Sequence, residues 1–224
     1  MIEHLVEPGM LPTKSIHLLG GAPYAGKSTF SSQLIKAFLT GESFLSGLDF
    51  KKLEPDQIGL LFTDRSLGDN EIWIDKLGLK EIQTYCISDD DSMGTFMRSK
   101  KEDDLYGVAV FLECMKRFRA PEKIKLVIAD VFTNIFLGPS IHHAPGVHRH
   151  MIMLQQFCRR NDLTILGTAY GNKQKKNSVE QYARPVDRII GAPTLRGCAS
   201  SLLFLTAPGE SDLPYQPLQW FSRH

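Results

Sequence analysis

Gly21-Ala22-Pro23-Tyr24-Ala25-Gly26-Lys27-Ser28-Thr29 decides how the rest of the chain is read. The apolar run Ser15-Ile16-His17-Leu18-Leu19-Gly20 precedes it, and a helical pattern from Phe30 to Leu39 follows. The order is strand, glycine loop, helix, with G-x-x-x-x-G-K-S in the loop, which is the signature of a phosphate cradle. Glycines let backbone N–H groups turn inward around a di- or triphosphate. The helix that follows points its positive end at the same oxyanions. Lys27 adds a charge near the β- and γ-phosphates, and the Ser28 hydroxyl is a ligand for Mg²⁺. All nine residues from Gly21 to Thr29 are therefore candidates for nucleotide binding.

The chain has 224 residues, 42 % of them hydrophobic and 23 % charged, which suits one soluble α/β domain with a full core. A formal net charge of +1 gives no global polyanion signal, so a nucleic-acid contact must come from local patches. The cysteines Cys86, Cys114, Cys158 and Cys198 form no C-x-x-C, and neither a zinc site nor a disulfide framework is indicated. The N-terminus Met1-Ile2-Glu3-His4-Leu5-Val6 lacks the basic region and apolar core of a signal peptide. No apolar run approaches the ~20 residues of a membrane helix. The expectation is a cytoplasmic protein with no membrane contact.

Working outward, residues 1–14 read as an N-terminal arm and residues 15–224 as a single domain. Strand 15–20 and helix 27–39 flank the cradle, with Gly41 placed to cap the helix. Residues 42–56 read as a loop with Phe44, Leu45, Leu48, Phe50 and Leu53, which either anchor it or cover a base or a neighbouring molecule. Gln57 to Asp64 is a continuous apolar run with a polar tip, the mark of a strand buried on both faces. Asp64 and Arg65 fall at its C-terminal end, where open α/β sheets place their ligands. A helix follows over 69–78, then a strand over 81–87. Residues 88–104 are polar. Their run Asp89-Asp90-Asp91 reads either as a solvated loop with a helix cap or as a metal site. Leu105 to Phe118 has helical spacing that Arg119-Ala120-Pro121 stops.

Lys125-Leu126-Val127-Ile128-Ala129-Asp130 is the second chemical signature, an apolar strand that ends in an acid. This is the Walker B pattern, and it carries Asp130 towards Mg²⁺ beside Ser28. The turn-rich loop 138–150 holds four of the seven histidines. It reads either as a surface loop or as a metal cluster. A helix over 148–160 and a strand over 163–168 lead into Tyr170 and a basic loop with Lys173, Lys175 and Lys176. Arg184, Arg188 and Arg196 come next, then strand 200–206 and an edge strand over 218–221. Strand and helix signals alternate and then end in strands, which predicts an α/β fold. Its mostly parallel central sheet is flanked by helices, with C-terminal antiparallel strands.

These residues together resemble the RecA-like ATPase core of hexameric replicative helicases, in particular the RepA-type plasmid and phage helicases related to the DnaB group. The resemblance covers roughly residues 15–206. It rests on Gly-Ala-Pro opening the cradle and on the strand ending Thr63-Asp64-Arg65 followed by a helix ending Leu77-Gly78. It rests further on Leu126–Asp130, and on strand 163–168 with its basic loop and Asp187-Arg188-Ile189-Ile190-Gly191. The fold it implies is RecA-like, with ATP and Mg²⁺ as cofactors. Lys27 and Ser28 match the phosphate lysine and the metal hydroxyl, and Asp130 matches the Walker B acid. Asp64 stands where the family has the glutamate that orients the attacking water. Arg184 or Arg188 stands near the arginine finger that a neighbouring subunit supplies. Loop 171–178 matches the loop facing a central channel, where Lys173, Lys175 and Lys176 grip phosphates.

The implied activity is a Mg²⁺-dependent ATPase that self-assembles into a ring or filament, a hexamer in the family, on single-stranded DNA. Two features depart from the family pattern. The catalytic acid is aspartate in place of glutamate, and Tyr170 stands where the family has a strand-end histidine. They leave open a non-motor ATP-binding protein, either a recombination mediator or a helicase loader. A nucleoside or nucleotide kinase is the third reading, since the cradle and the chain length also suit that class.

Overall fold

A computed structural model of the chain describes residues 3–63, 67–100, 105–136, 143–171, 189–190, 193–206 and 218–222. The strands are β1 (His4–Glu7), β2 (Leu11–Pro12), β3 (Ile16–Gly21), β4 (Asp49–Phe50), β5 (Ile58–Phe62) and β6 (Gln83–Cys86). The later ones are β7 (Leu126–Asp130), β8 (Thr164–Tyr170), β9 (Ser201–Leu205) and β10 (Leu218–Ser222). The helices are α1 (Lys27–Thr40), α2 (Leu67–Leu77), α3 (Asp91–Lys100), α4 (Tyr106–Arg117), α5 (Ala144–Asn161) and α6 (Pro193–Cys198).

The main sheet has the order β10-β9-β3-β8-β7-β5-β6. Every neighbouring pair in it is parallel except β9 and β10, which run antiparallel as the C-terminal edge. The fold is therefore the expected α/β arrangement, a mostly parallel sheet flanked by helices with antiparallel strands at the C-terminal end. The apolar runs produce it directly. β3, β5 and β7 are buried at every position, and such strands survive only between two helical layers.

The side-chain alternation of a strand divides the core in two. Ile16, Leu18, Val127, Ala129 and Ile165 pack on one face with Val108, Phe111 and Cys114 of α4 and Met151, Leu154 and Cys158 of α5. Leu19, Leu126, Ile128 and Leu166 pack on the other with Leu34, Ile35 and Phe38 of α1. The second cluster also takes in Leu5, Val6, Leu11 and Phe50 from a separate three-stranded antiparallel sheet of order β2-β1-β4. Residues 4–12, in the expected arm, thus pack on the same core as the cradle helix.

Three stretches differ from their sequence reading. Loop 42–56 contains the short strand β4, where Phe50 stacks edge-on against Phe38 with centroids 5.4 Å apart. The polar stretch 88–104 contains α3, whose Met93, Phe96 and Met97 fall at i, i+3 and i+4 and pack on the first core cluster, with Met93 fully buried. Helix α5 starts at Ala144 rather than 148. Pro145 lies in its first turn, where the missing N–H costs nothing, so the proline opens the helix. Among the described residues, no helix is long and apolar enough to cross a membrane.

Candidate functional site

The cradle forms where β3 stops. Gly21 is the last strand residue, and a Cβ there would lie 2.9 Å from the Leu205 carbonyl oxygen of β9 and 3.1 Å from Ala25 Cβ. Only glycine lets the loop turn back this close to its neighbour strand. Gly26 precedes α1 with φ 79°, a left-handed conformation that other residues resist. No side chain caps α1, so the first-turn amide donors remain for a ligand. Tyr24 at the tip of the loop is also left-handed, with φ 65°, and is 93 % exposed. Pro23 and Thr29 are exposed, whereas Ala22 and Ala25 are buried.

Lys27 lies back along its own loop. Its Nζ donates to the Gly21 carbonyl at 2.8 Å and to the Ala22 carbonyl at 3.1 Å, and only 9 % of the residue is exposed. The Tyr170 ring lies 5.5 Å from the same nitrogen, measured to its centroid. Both carbonyls have a second donor. Gly171 N–H reaches Gly21 at 2.9 Å, and Ala25 N–H reaches Ala22 at 3.1 Å. The ammonium is thus held in place by contacts that a phosphate oxygen can replace.

Asp130 ends β7 and is 6 % exposed. Its Oδ2 accepts the Ser28 hydroxyl at 2.8 Å. Residues 102 positions apart therefore meet, as the two sequence signatures require. Its Oδ1 accepts the hydroxyl of Thr168, a fully buried residue of β8, at 2.5 Å. Thr63, just past β5, grips the other side. Its N–H donates to the Asp130 carbonyl at 2.9 Å, and its hydroxyl donates to the Val131 carbonyl and accepts the Val131 N–H, both at 2.9 Å. Sequence reading singled out neither threonine as a site residue. The signal was a polar residue inside an otherwise apolar run, as in Ile165-Leu166-Gly167-Thr168-Ala169.

The remaining candidates divide as follows. Asp64, Arg184, Arg188, Lys173, Lys175 and Lys176 lie outside the described residues. Arg196 is on α6, and its Nη1 donates to the Ile189 carbonyl at 2.7 Å. The aspartate run serves α3. Asp90 accepts hydrogen bonds from the Ser92 hydroxyl, the Met93 N–H and the Tyr85 hydroxyl, which hold its carboxyl down at about 2. In the histidine stretch, His148 Nδ1 lies 3.4 Å from Cys198 Sγ. Among the described residues, no group of three or more His, Cys, Asp or Glu side chains is placed to hold a metal ion. Cys86, Cys114 and Cys158 are buried, and Cys198 is half-buried. Burial pushes the thiols of Cys114 and Cys158 up to about 12, so they stay protonated.

Comparison with known proteins fits this geometry. The family model described as an AAA domain matches residues 2–176. A KaiC-like protein from the hyperthermophilic archaeon Pyrococcus horikoshii is similar over 98 % of this chain and 82 % of its own, with TM-score 0.51 and 15 % identity. The RadB recombinase aligns over 94 % of this chain and 87 % of its own, with TM-score 0.47 and 12 % identity. At 15 % identity the KaiC-like structure speaks to the fold alone. No curated protein matches the chain. The chain belongs to the AAA domain family.

Proposed function

We propose that this AAA-domain chain binds ATP with Mg²⁺ in the Gly21–Thr29 cradle, hydrolyses it, and works as a self-assembled oligomer on single-stranded DNA. The observation that carries the reading is the Ser28 Oγ to Asp130 Oδ2 contact of 2.8 Å, at the start of an uncapped helix and beside Lys27. A hydroxyl and a carboxylate oxygen are the hard donors that Mg²⁺ takes, and two such protein ligands suffice where phosphates and water fill the other positions. Held there by Ser28 and Asp130, Mg²⁺ would supply charge neutralisation for the phosphates. Lys27 would leave the Gly21 and Ala22 carbonyls for the phosphates, and the α1 amides would hold the remaining oxygens.

The resemblance to RepA-type helicases supplies the rest of the reading. Asp64 would orient the attacking water, and Arg184 or Arg188 of a neighbouring copy would stabilise the transferring phosphoryl group. Lys173, Lys175 and Lys176 would hold the DNA backbone. A finger supplied in trans is worth about 10³–10⁵ in rate, so ATP turnover per chain should climb with protein concentration and with added single-stranded DNA. A turnover flat in both variables would overturn the reading.

A second reading, of a recombination mediator or helicase loader that binds ATP without acting as a motor, draws on Tyr170. Its ring packs near Lys27, at the strand end where the helicases carry a histidine. ATP-dependent DNA binding with no strand separation of a forked duplex would favour that reading. Strand separation would favour the motor.

A further inference from the structure

We propose that Thr168 is a positioning residue for the Walker B carboxylate, one that fixes which oxygen of Asp130 is presented to Mg²⁺; the inference rests on the Mg·ATP reading of the site. β8 lies directly beside β7 in the sheet, in parallel register with Ala129 opposite Gly167. One residue further along both strands, the Thr168 hydroxyl donates to Asp130 Oδ1 at 2.5 Å. Thr168 is fully buried, and its neighbours in the strand, Ile165, Leu166 and Ala169, are apolar and equally buried. A hydroxyl in such a place costs about 1–3 kcal/mol if it lacks a partner, so its pairing with the carboxylate is the reason the strand tolerates it.

The consequence is an aspartate held at its backbone and at both carboxylate oxygens. Thr63 on the β5 side fixes the peptide after Asp130, Thr168 on β8 occupies Oδ1, and Ser28 on α1 takes Oδ2. Rotation about the carboxylate would break the Thr168 bond and carry Oδ2 away from Ser28. The threonine is β-branched and stiff at χ1, so its hydroxyl direction is set by the strand. Partners of this kind, one bond behind a metal ligand, typically contribute 10–100-fold to metal affinity or activity.

The experiment compares Thr168→Val, which removes the hydroxyl and keeps the shape, with Thr168→Ser, which keeps the hydroxyl. A fluorescent ATP analogue is titrated onto the full chain across Mg²⁺ concentrations and in EDTA. We expect Thr168→Val to raise the Mg²⁺ needed for half-maximal binding by roughly 10–100-fold and Thr168→Ser to stay within about three-fold of wild type. Binding in EDTA should change little in either. Thr168→Ala, which cannot overpack, should repeat the valine result if valine disturbs the fold. An unshifted Mg²⁺ dependence in both the valine and alanine variants overturns the inference, and so does a serine variant as impaired as valine. Wild type that binds equally with Mg²⁺ and with EDTA overturns the Mg·ATP reading itself.

Discussion

Lys27→Met separates a lysine poised for a ligand from one that props up the loop. Its Nζ donates to the Gly21 and Ala22 carbonyls at 2.8 and 3.1 Å. Each of those oxygens keeps another donor, Gly171 N–H at 2.9 Å and Ala25 N–H at 3.1 Å. The substitution therefore leaves neither acceptor orphaned, and the penalty of about 1–3 kcal/mol for a buried unmet group does not arise. Two hydrogen bonds from a charged donor are lost, worth about 1.5–3 kcal/mol each. Against that, an ammonium no longer has to be kept out of water, a cost of several kcal/mol for a buried ion. Methionine keeps most of the apolar stem. The two effects offset, and the free energy of unfolding should move by no more than about 1 kcal/mol. Nucleotide affinity should behave differently. Removing one partner of a desolvated charge pair costs about 2–5 kcal/mol, which is roughly 30-fold to several thousand-fold in Kd. Urea unfolding followed by tryptophan fluorescence reads the first quantity, and titration with a fluorescent ATP analogue in Mg²⁺ reads the second. A loss of stability above about 3 kcal/mol, or an unchanged Kd, would refute the reasoning.

Asp90→Ala should cost about 1 kcal/mol at neutral pH, because Asp90 accepts the Met93 N–H at the start of α3. Its carboxyl is held at about 2 in the fold against about 3.9 unfolded, so its stabilisation is complete above pH ~4 and is lost as pH falls towards 2. Urea titrations across that range should show wild type and variant converging in acid; a constant gap would count against the cap. Gly167→Ala would drive a Cβ into the Cβ and Cγ of Phe132, at the root of that side chain. Overpacking of this kind costs about 1–3 kcal/mol, or roughly 2–12 °C in Tm for a chain of this size. Thermal denaturation checks it, and an unchanged Tm would show that the turn after Asp130 gives way freely.

The cradle, the strand that carries Asp130 and a sheet buried on both faces all follow from the amino-acid sequence. These are local properties. A glycine loop between an apolar run and a helical pattern has one good solution, and a strand apolar at every position must lie between two layers. Gly41 was legible for the same reason: it closes α1 with φ 77°, its N–H on the Ala37 carbonyl at 2.7 Å. Helix α3 was hard to read because its short stripe of Met93, Phe96 and Met97 sits between two polar runs, and a cap such as Asp90 in an aspartate run looks like any solvated turn. Strands β1 and β2 were missed because short antiparallel pairs take their stability from the core they cover, here Leu34 and Phe38 of α1. The company Asp130 keeps comes instead from tertiary packing. Thr63 and Thr168 reach it because β7 lies between β5 and β8 in the sheet. That order is set by crossover connections and by the packing of α4 and α5, over separations that no local pattern encodes.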